Sequence, residues 1–472
     1  MHILKDLEIS RREMLHRSSQ LAITGTAASY ALGLSGICDA SAFAGDSGYK
    51  AIVCVFLAGG NDHANTLIPF DPENHAKYAG IRPSVAIPRA NLAATVLATP
   101  QDQRLTDDIQ YALSPSMPRL KSHYDRSNLA VLLNVGPLLA PLTKAQYLSS
   151  NTIANPRPPK LFSHNDQQST WQSFHPEGAT LGWGGRIGDL AQSVNQNAMF
   201  TAISASGNAV FLSGQRAFPF RISEKGAIVS SALTSGRLFS SRAAADALKV
   251  IVGSHHQHVF EQDYQRVTDR ALNFGGFIND AMKGVNLSTH FPSDNSLAKQ
   301  LETVARVIAA RGNLGVRRQV FFVSSGGWDA HRGLLGTHPG LLSQLDVAID
   351  AFYRATEELG IADRVTTFTA SDFGRTLTSN GDGSDHGWGS HHFIIGGDVN
   401  GGRFFGQAPS ISVQTDDQVG GGRLLPTTSV DEYSTTLALW LGVAPSELSW
   451  VAPNIGRFAN RDLGFMTRRR TS

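Results

Sequence analysis

Three stretches of this sequence end alike. A run of β-branched, aromatic and small apolar residues stops, glycine or serine follows, and an aspartate, a histidine or both appear. The run 51–57 leads into Gly59, Gly60, Asn61, Asp62 and His63; the run 320–323 leads into Gly326, Gly327, Trp328, Asp329, Ala330 and His331; the run 365–369 leads into Ser371, Asp372, Phe373 and Gly374. Aspartate and histidine together are the chemistry of divalent-metal ligands. In an open α/β sheet, ligands bind just beyond the carboxyl ends of the strands, so acids and imidazoles at three strand ends can converge on one crevice.

Each residue also has a purely structural use. Asp62 can ligate a metal where Gly59 and Gly60 let the backbone come close, or can close an Asx-turn. Asp329 and His331, two apart, reach one side of a loop; His338 belongs to the start of the next helix. The stretch 372–392 holds Asp372, Arg375, Asp385, His386, His391 and His392 among glycines and reads as a long loop of the functional kind. In it, His386 follows Asp385 directly, and Asp385 either ligates or orients an imidazole. His391 and His392 open a strand and point to opposite faces, so at most one enters the site. Arg375 can clamp an anionic oxygen or pair with a nearby aspartate. Ser163, next to His164, Asn165 and Asp166, stands at a loop-to-helix junction that favours anions. It can attack a phosphorus or sulfur centre with a metal's help, or simply cap the helix.

The elements that position these residues alternate between strand and helix, which predicts a doubly wound α/β fold: a mainly parallel sheet with helices on both faces. Apolar spacing predicts a helix from Leu297, capped by Ser293 or Asp294 and stopped by Gly312, and another from Pro339 to Gly360. A shorter helix is expected from Ser114 with Pro115 at its first position, feeding a strand over 129–135. A further strand is expected over 393–395. The Ser-, Ala- and Gly-rich stretch around 195–257 reads as an insertion or cap in a single domain over 45–472.

The N-terminus places the chain. Ser10, Arg11, Arg12, Glu13, Met14 and Leu15 form a twin-arginine pattern, a mildly apolar stretch spans 21–34, and Ala42, Phe43 and Ala44 form a cleavage site. Residues 1–44 therefore read as a twin-arginine signal, and the chain is expected in the periplasm or outside the cell. That route carries folded proteins, which favours a metal acquired beforehand. No later stretch has the length of apolar residues that a transmembrane span needs. Cys38 lies in the signal, so the mature chain keeps Cys54 alone and forms no internal disulfide. Lys plus Arg, at 41, nearly balances Asp plus Glu, at 39, which gives no reason to invoke nucleic acid or a membrane surface. The run Arg468, Arg469, Arg470 reads as a solvated tail.

In order, Gly59 to Asp62 (GGND), Ser163 and His164 with downstream Trp171, Gly326 to His331 (GGWDAH), Ser371 to Thr376 (SDFGRT) and Asp385 to Gly389 (DHGWG) resemble a bacterial family of twin-arginine-exported proteins of unknown function. That family is grouped with the alkaline phosphatase superfamily of metal-dependent phosphatases, sulfatases and phosphomutases, and the resemblance runs over about 49–456. It implies an alkaline phosphatase-like fold, a metal held by Asp62, Asp329, His331, Asp372 and His386, and a hydroxyl nucleophile. Two departures stand out: Asp372 where the family more often has glutamate, and Phe373 where active phosphatases usually place a histidine. The implied function is an exported metal-dependent hydrolase of phosphate or sulfate esters. Its cofactor is a divalent metal, zinc or manganese before calcium, and its substrate a small anionic ester or one derived from a glycan. The alternative is a member of the fold that binds metal, glycan or a partner protein in envelope or polymer assembly without catalysis.

Overall fold

The computed structural model describes residues 48–224, 226–227, 236–253 and 274–467. Residues 1–44, read as a twin-arginine signal, and the arginine run 468–470 lie outside them. Strand Lys50–Leu57 is the centre of a ten-stranded sheet. It pairs in parallel with Arg318–Ser325 on one side and with Val365–Ser371 on the other, and Leu57 is level with both Ser325 and Ser371. The three strands whose ends carry the Asp and His motifs are thus neighbours, finishing at one height.

Every side chain from Ala51 to Leu57 is buried. Alternation divides them between two cores: Ala51, Val53, Val55 and Leu57 face helices Ser296–Ala309 and Leu334–Glu358, while Ile52, Cys54 and Phe56 face helices Trp183–Ala191 and Val430–Leu441. A strand apolar on both faces requires this double covering. The arrangement is the doubly wound α/β class. One central strand departs from parallel: Ser390–Ile395 runs antiparallel between Leu129–Gly136 and Val365–Ser371. Within the stretch read as an insertion or cap around 195–257, strands Ala202–Ser204, Phe220–Ser223 and Gly226–Ala227 continue the sheet at its far edge. Among the described residues, no helix is long and apolar enough to cross a membrane, and Cys54 is a buried free thiol.

Several local expectations need correction. The early helix is Pro118–Asp125, with Pro118 and not Pro115 in its first turn. The helix expected from Leu297 is capped by Asn295, whose side chain accepts the amide of Ala298, and a short further turn carries the chain past Gly312 to Gly315. Gly315 has the left-handed φ of +63° that a helix stop needs; Gly312 does not. The helix expected from Pro339 begins at Leu334. Proline is tolerated there because the carbonyl it leaves unbonded belongs to Leu335, in the exposed first turn. The stretch read as a long loop after Asp372 folds into a ribbon of Arg375–Ser379 against Ser384–His386, which sets Arg375 opposite His386.

Gly59 joins the three strand ends. Its amide donates to Asp372 Oδ1 at 3.1 Å, and its carbonyl accepts from Arg375 Nη1 at 3.1 Å. At φ +123°, a Cβ there would lie 2.5 Å from the amide nitrogen of Asp329, so only glycine lets the second motif pack on the first. Gly59→Ala is expected to destabilise the protein by more than about 1 kcal/mol, read as a lower urea midpoint.

Candidate metal centre

Helix His164–Ser173 begins beside the ends of the central strands. It brings His164 to Asp329, from the loop after Arg318–Ser325, and to His386, from the ribbon. Ligand atoms of these three residues lie within 4.8 Å of one another. His164 Nε2 is 3.4 Å from Asp329 Oδ2, and His386 Nε2 is 3.5 Å from Asp329 Oδ1. His331 Nε2 joins them, 3.2 Å from Asp329 Oδ1 and 2.8 Å from His386 Nε2.

What turns these nitrogens inward is the set of partners on the other side of each ring. His164 Nδ1 donates to Asp372 Oδ2 at 2.7 Å, His331 Nδ1 to Asp385 Oδ1 at 3.1 Å, and His386 Nδ1 to the carbonyl of Phe162 at 2.7 Å. With the proton held on Nδ1, each neutral ring presents a lone pair from Nε2. Carboxylate or carbonyl behind imidazole is how metal-ligating histidines are oriented. Lone pairs of His331 and His386 at 2.8 Å repel unless a proton or a cation lies between them. A tetrahedral ion with bonds of about 2.0–2.1 Å has ligand atoms about 3.3–3.4 Å apart, close to the distances of His164 and His386 from Asp329, whereas the 2.8 Å between His331 and His386 is shorter. His164, Asp329 and His386 could therefore hold a single divalent cation.

The supports are themselves braced. Phe162 adopts a left-handed φ of +73°, a strained conformation for a bulky residue, and thereby aims its carbonyl at His386. The Arg423 guanidinium lies 5.1 Å from the Phe162 ring centroid, and its Nε donates to the His386 carbonyl at 2.8 Å. Gln168 Nε2 donates to Asp372 Oδ2 at 2.8 Å. Phe373 is fully buried under the site, its ring 4.9 Å from that of His164 and 4.6 Å from that of His386.

The other expected residues fall around this group. The oxygens of Asp372 are taken by Gly59, His164 and Gln168. Asp385 accepts from His331 and from Asn380. Asp62 is buried away from solvent: Arg82 Nη1 and Nη2 grip its two oxygens at 3.0 and 2.7 Å, Ser384 Oγ donates to Oδ2, and the amide of Asn65 to Oδ1. That last bond is the Asx-type turn. Arg375, also fully buried, donates to Asp329 Oδ1 at 2.7 Å and to the carbonyls of Gly59 and Ser384. Ser163 occupies the N-cap position, but its hydroxyl donates to Asp166 Oδ2 at 2.9 Å. Neither His391 nor His392 enters the site: His391 accepts the amide of Asn134 at its Nδ1, and His392 packs against Trp171. His338 is buried in its helix, bonded to Asn61. The sequence reading did not single out His164, which the structure places in the group that could hold a metal ion. The pair Ser163–His164 was its signal, with the serine taken for the chemistry.

The charges set an order of protonation. The Asp372 hydrogen bond raises the pKa of His164 despite partial burial. Burial, with the charges of His164 and Arg375, lowers that of His386 against the pull of Phe162 and Asp329. For Asp329, burial acts upward but is outweighed by Arg375, His331 and His164, so its carboxyl stays below the usual range. Burial also acts upward on Asp62, and Arg82, His338 and Ser384 overcome it to hold the carboxyl far below the carboxylate range.

Residues 49–429 match the family described as protein of unknown function (DUF1501). The chain belongs to that family. No curated protein matches it in sequence. Solved structures similar to this DUF1501 member include Ps i-CgsB in complex with k-i-k-neocarrahexaose, at 9% identity and TM-score 0.36, with 88% of this chain and 77% of that chain covered. The PsFucS1 sulfatase from Pseudoalteromonas sp. is similar at 10% identity and TM-score 0.34, covering 89% and 74%. The lipoteichoic acid synthase LtaP from Listeria monocytogenes is similar at 9% and 0.32, covering 89% and 76%.

Two aspartate variants separate ligation from support. Asp329→Asn is expected to lose most bound zinc or manganese per folded molecule, by elemental analysis, and also to lower the urea midpoint, because it removes the carboxylate partner of the buried Arg375. Asp62→Asn is expected to lower stability by about 3 kcal/mol by leaving Arg82 unpaired, with metal per folded molecule retained. Acidification should weaken metal binding beginning above the ordinary histidine value of about 6.5, because a proton on His164 Nε2 competes with the cation. A metal titration across pH 5.5–8 checks this, and an affinity flat over that window would contradict it.

Proposed function

We propose that this chain is an exported metal-dependent hydrolase of phosphate or sulfate esters. The observation that carries the reading is the convergence of His164, His331 and His386 Nε2 on Asp329, each ring turned inward by its own acceptor. Three imidazoles and one carboxylate suit zinc better than harder cations. The side chains are partly open to solvent, with Asp329 42% and His164 29% exposed, so an ester can approach. The motif resemblance to the alkaline phosphatase superfamily supports the same reaction class. An anionic, glycan-derived ester outside the cytoplasm is the substrate class that this reading favours.

The bound cation would polarise the ester oxygen and lower the pKa of a hydroxyl or water beside it. Around it, Asp372, Asp385 and the Phe162 carbonyl hold the imidazoles in one tautomer. Arg375 acts as a positioning residue, pinning Asp329 while its other donors anchor the strand ends. Ser163 is the candidate nucleophile: its proton already points at Asp166, leaving the oxygen's lone pairs for attack. The amino end of its helix would favour the anion.

A second reading is retained because of Phe373 and the Ser163–Asp166 bond: a member of the fold that binds metal and a glycan or envelope partner without hydrolysis. The full chain, purified from the periplasm without chelators, is tested on p-nitrophenyl phosphate and p-nitrophenyl sulfate. Hydrolysis abolished by His164→Ala and reduced at least about 100-fold by Ser163→Ala is expected. Full activity in Ser163→Ala would assign attack to water. Bound metal without turnover of either ester would favour the binding reading.

A further inference from the structure

Three consecutive glycines, Gly420, Gly421 and Gly422, carry left-handed φ values of +112°, +62° and +70°. A run of that conformation is open to glycine and strained for other residues. The carbonyls of Gly421 and Gly422 accept the amides of Thr378 and Leu377, each at 3.2 Å, and a Cβ on Gly422 would lie 2.4 Å from the Cβ of Leu377. The turn is thus pressed onto the ribbon strand Arg375–Ser379, and the residue that follows it, Arg423, is set beside the metal centre.

Arg423 is fixed there from three sides. Its Nε donates to the carbonyl of His386 at 2.8 Å, its Nη1 to the carbonyl of Gly420 at 3.2 Å, and its guanidinium carbon lies 5.1 Å from the Phe162 ring centroid. This bracing uses two of the five N–H groups that an arginine offers. Among the described residues Nη2 meets no acceptor and no carboxylate pairs with the guanidinium, and the side chain is half-buried. We propose that Arg423 determines specificity by binding a second anionic group of the substrate, so that the ester at the cation belongs to a molecule carrying another carboxylate, sulfate or phosphate. The inference rests on the hydrolase reading and narrows its substrate class.

A held guanidinium with unspent donors matches the fork of an oxyanion, and little side-chain freedom is left to lose on binding. Its place along the substrate follows from the geometry of His386. Arg423 Nε is bonded to the backbone of that residue and the cation would lie at the tip of its ring, which puts the two nitrogens no more than about 10 Å apart. The length of the imidazole stands between them. The cation therefore takes the reacting ester, and Arg423 meets a group a few bonds further along.

The test uses calorimetric titration of the zinc-loaded full chain with paired ligands that cannot be hydrolysed: 4-phosphonobutanoate against butylphosphonate, and 4-sulfobutanoate against butanesulfonate. Each pair differs only by a carboxylate in place of a methyl group. The carboxylate member is expected to bind at least about tenfold more tightly in one series, a preference that falls below about twofold in Arg423→Gln and is partly restored in Arg423→Lys. Because the preference is a ratio within one variant, a change in zinc affinity cancels from it. Arg332→Gln removes an equal charge at the exposed residue after His331 and should keep the preference. Equal binding within both pairs would overturn the proposal. So would a preference that survives Arg423→Gln or collapses equally in Arg332→Gln. Failure of all four ligands to bind the zinc-loaded protein would overturn the hydrolase reading itself, and this inference with it.

Discussion

Three imidazole nitrogens with their lone pairs facing one carboxylate form an arrangement that repels itself. It holds only because the opposite nitrogen of each ring is fixed by an acceptor that tolerates no other tautomer. Asp372, Asp385 and the Phe162 carbonyl supply those acceptors, from a strand end, a ribbon and a strained loop residue. Turn any of the three rings over and a proton replaces a lone pair at the centre. The surrounding fold is best understood as the set of constraints that prevents this.

The first constraint is the register of the sheet. Because Leu57, Ser325 and Ser371 are level, the loops that follow them start from one plane, and Gly59 can bond to Asp372 and Arg375 together. A register slip by one residue on any of these strands would send each side chain into the opposite core, where it does not fit the packing. Hydrophobic burial on the two faces of the sheet therefore fixes the height of the polar site to within a residue. The second constraint is backbone access. Gly59 lets the Asp329 segment lie against the first strand's loop, and Phe162 accepts a left-handed conformation that puts its carbonyl behind His386.

Much of this was legible in the sequence, for identifiable reasons. The strand ends announced themselves because a fully buried parallel strand is apolar throughout and its break to glycine is abrupt. Asp329 and His331 drew attention because they follow such a break, and His386 because it lies in a glycine-rich stretch dense in acids and imidazoles. His164 did not, because it lies at the start of a helix and reaches the site through space; nothing in its spacing distinguishes it from a cap-adjacent surface residue. The roles of Asp62 and Asp372 depended on partners far away in sequence, Arg82 and His164, which spacing does not reveal. The ribbon after Asp372 read as a loop because its short, glycine-rich strands carry little alternation. Helix starts at Pro118 and Leu334 were displaced for a related reason: proline marks a helix's first turn but does not say which proline, or whether a preceding turn exists.

The three strand-end aspartates show how burial divides chemically identical groups. Asp62 and Asp372 are almost wholly buried, and every oxygen is met by a protein donor. A carboxylate so satisfied gains little from a cation, since binding one would first break charge-assisted bonds. Asp329 keeps 42% of its side chain exposed and one strong protein partner, Arg375. It is the acid left with capacity for a ligand. Phe373 sharpens that difference from below. Its buried ring against His164 and His386 excludes water from one side and offers no donor atom there. In that lower local dielectric, attraction between a cation and Asp329 is stronger than at an open surface. The same ring leaves nothing with which to hold a second ion on its side. A phenylalanine at this position is thus coherent with a centre that could hold one cation.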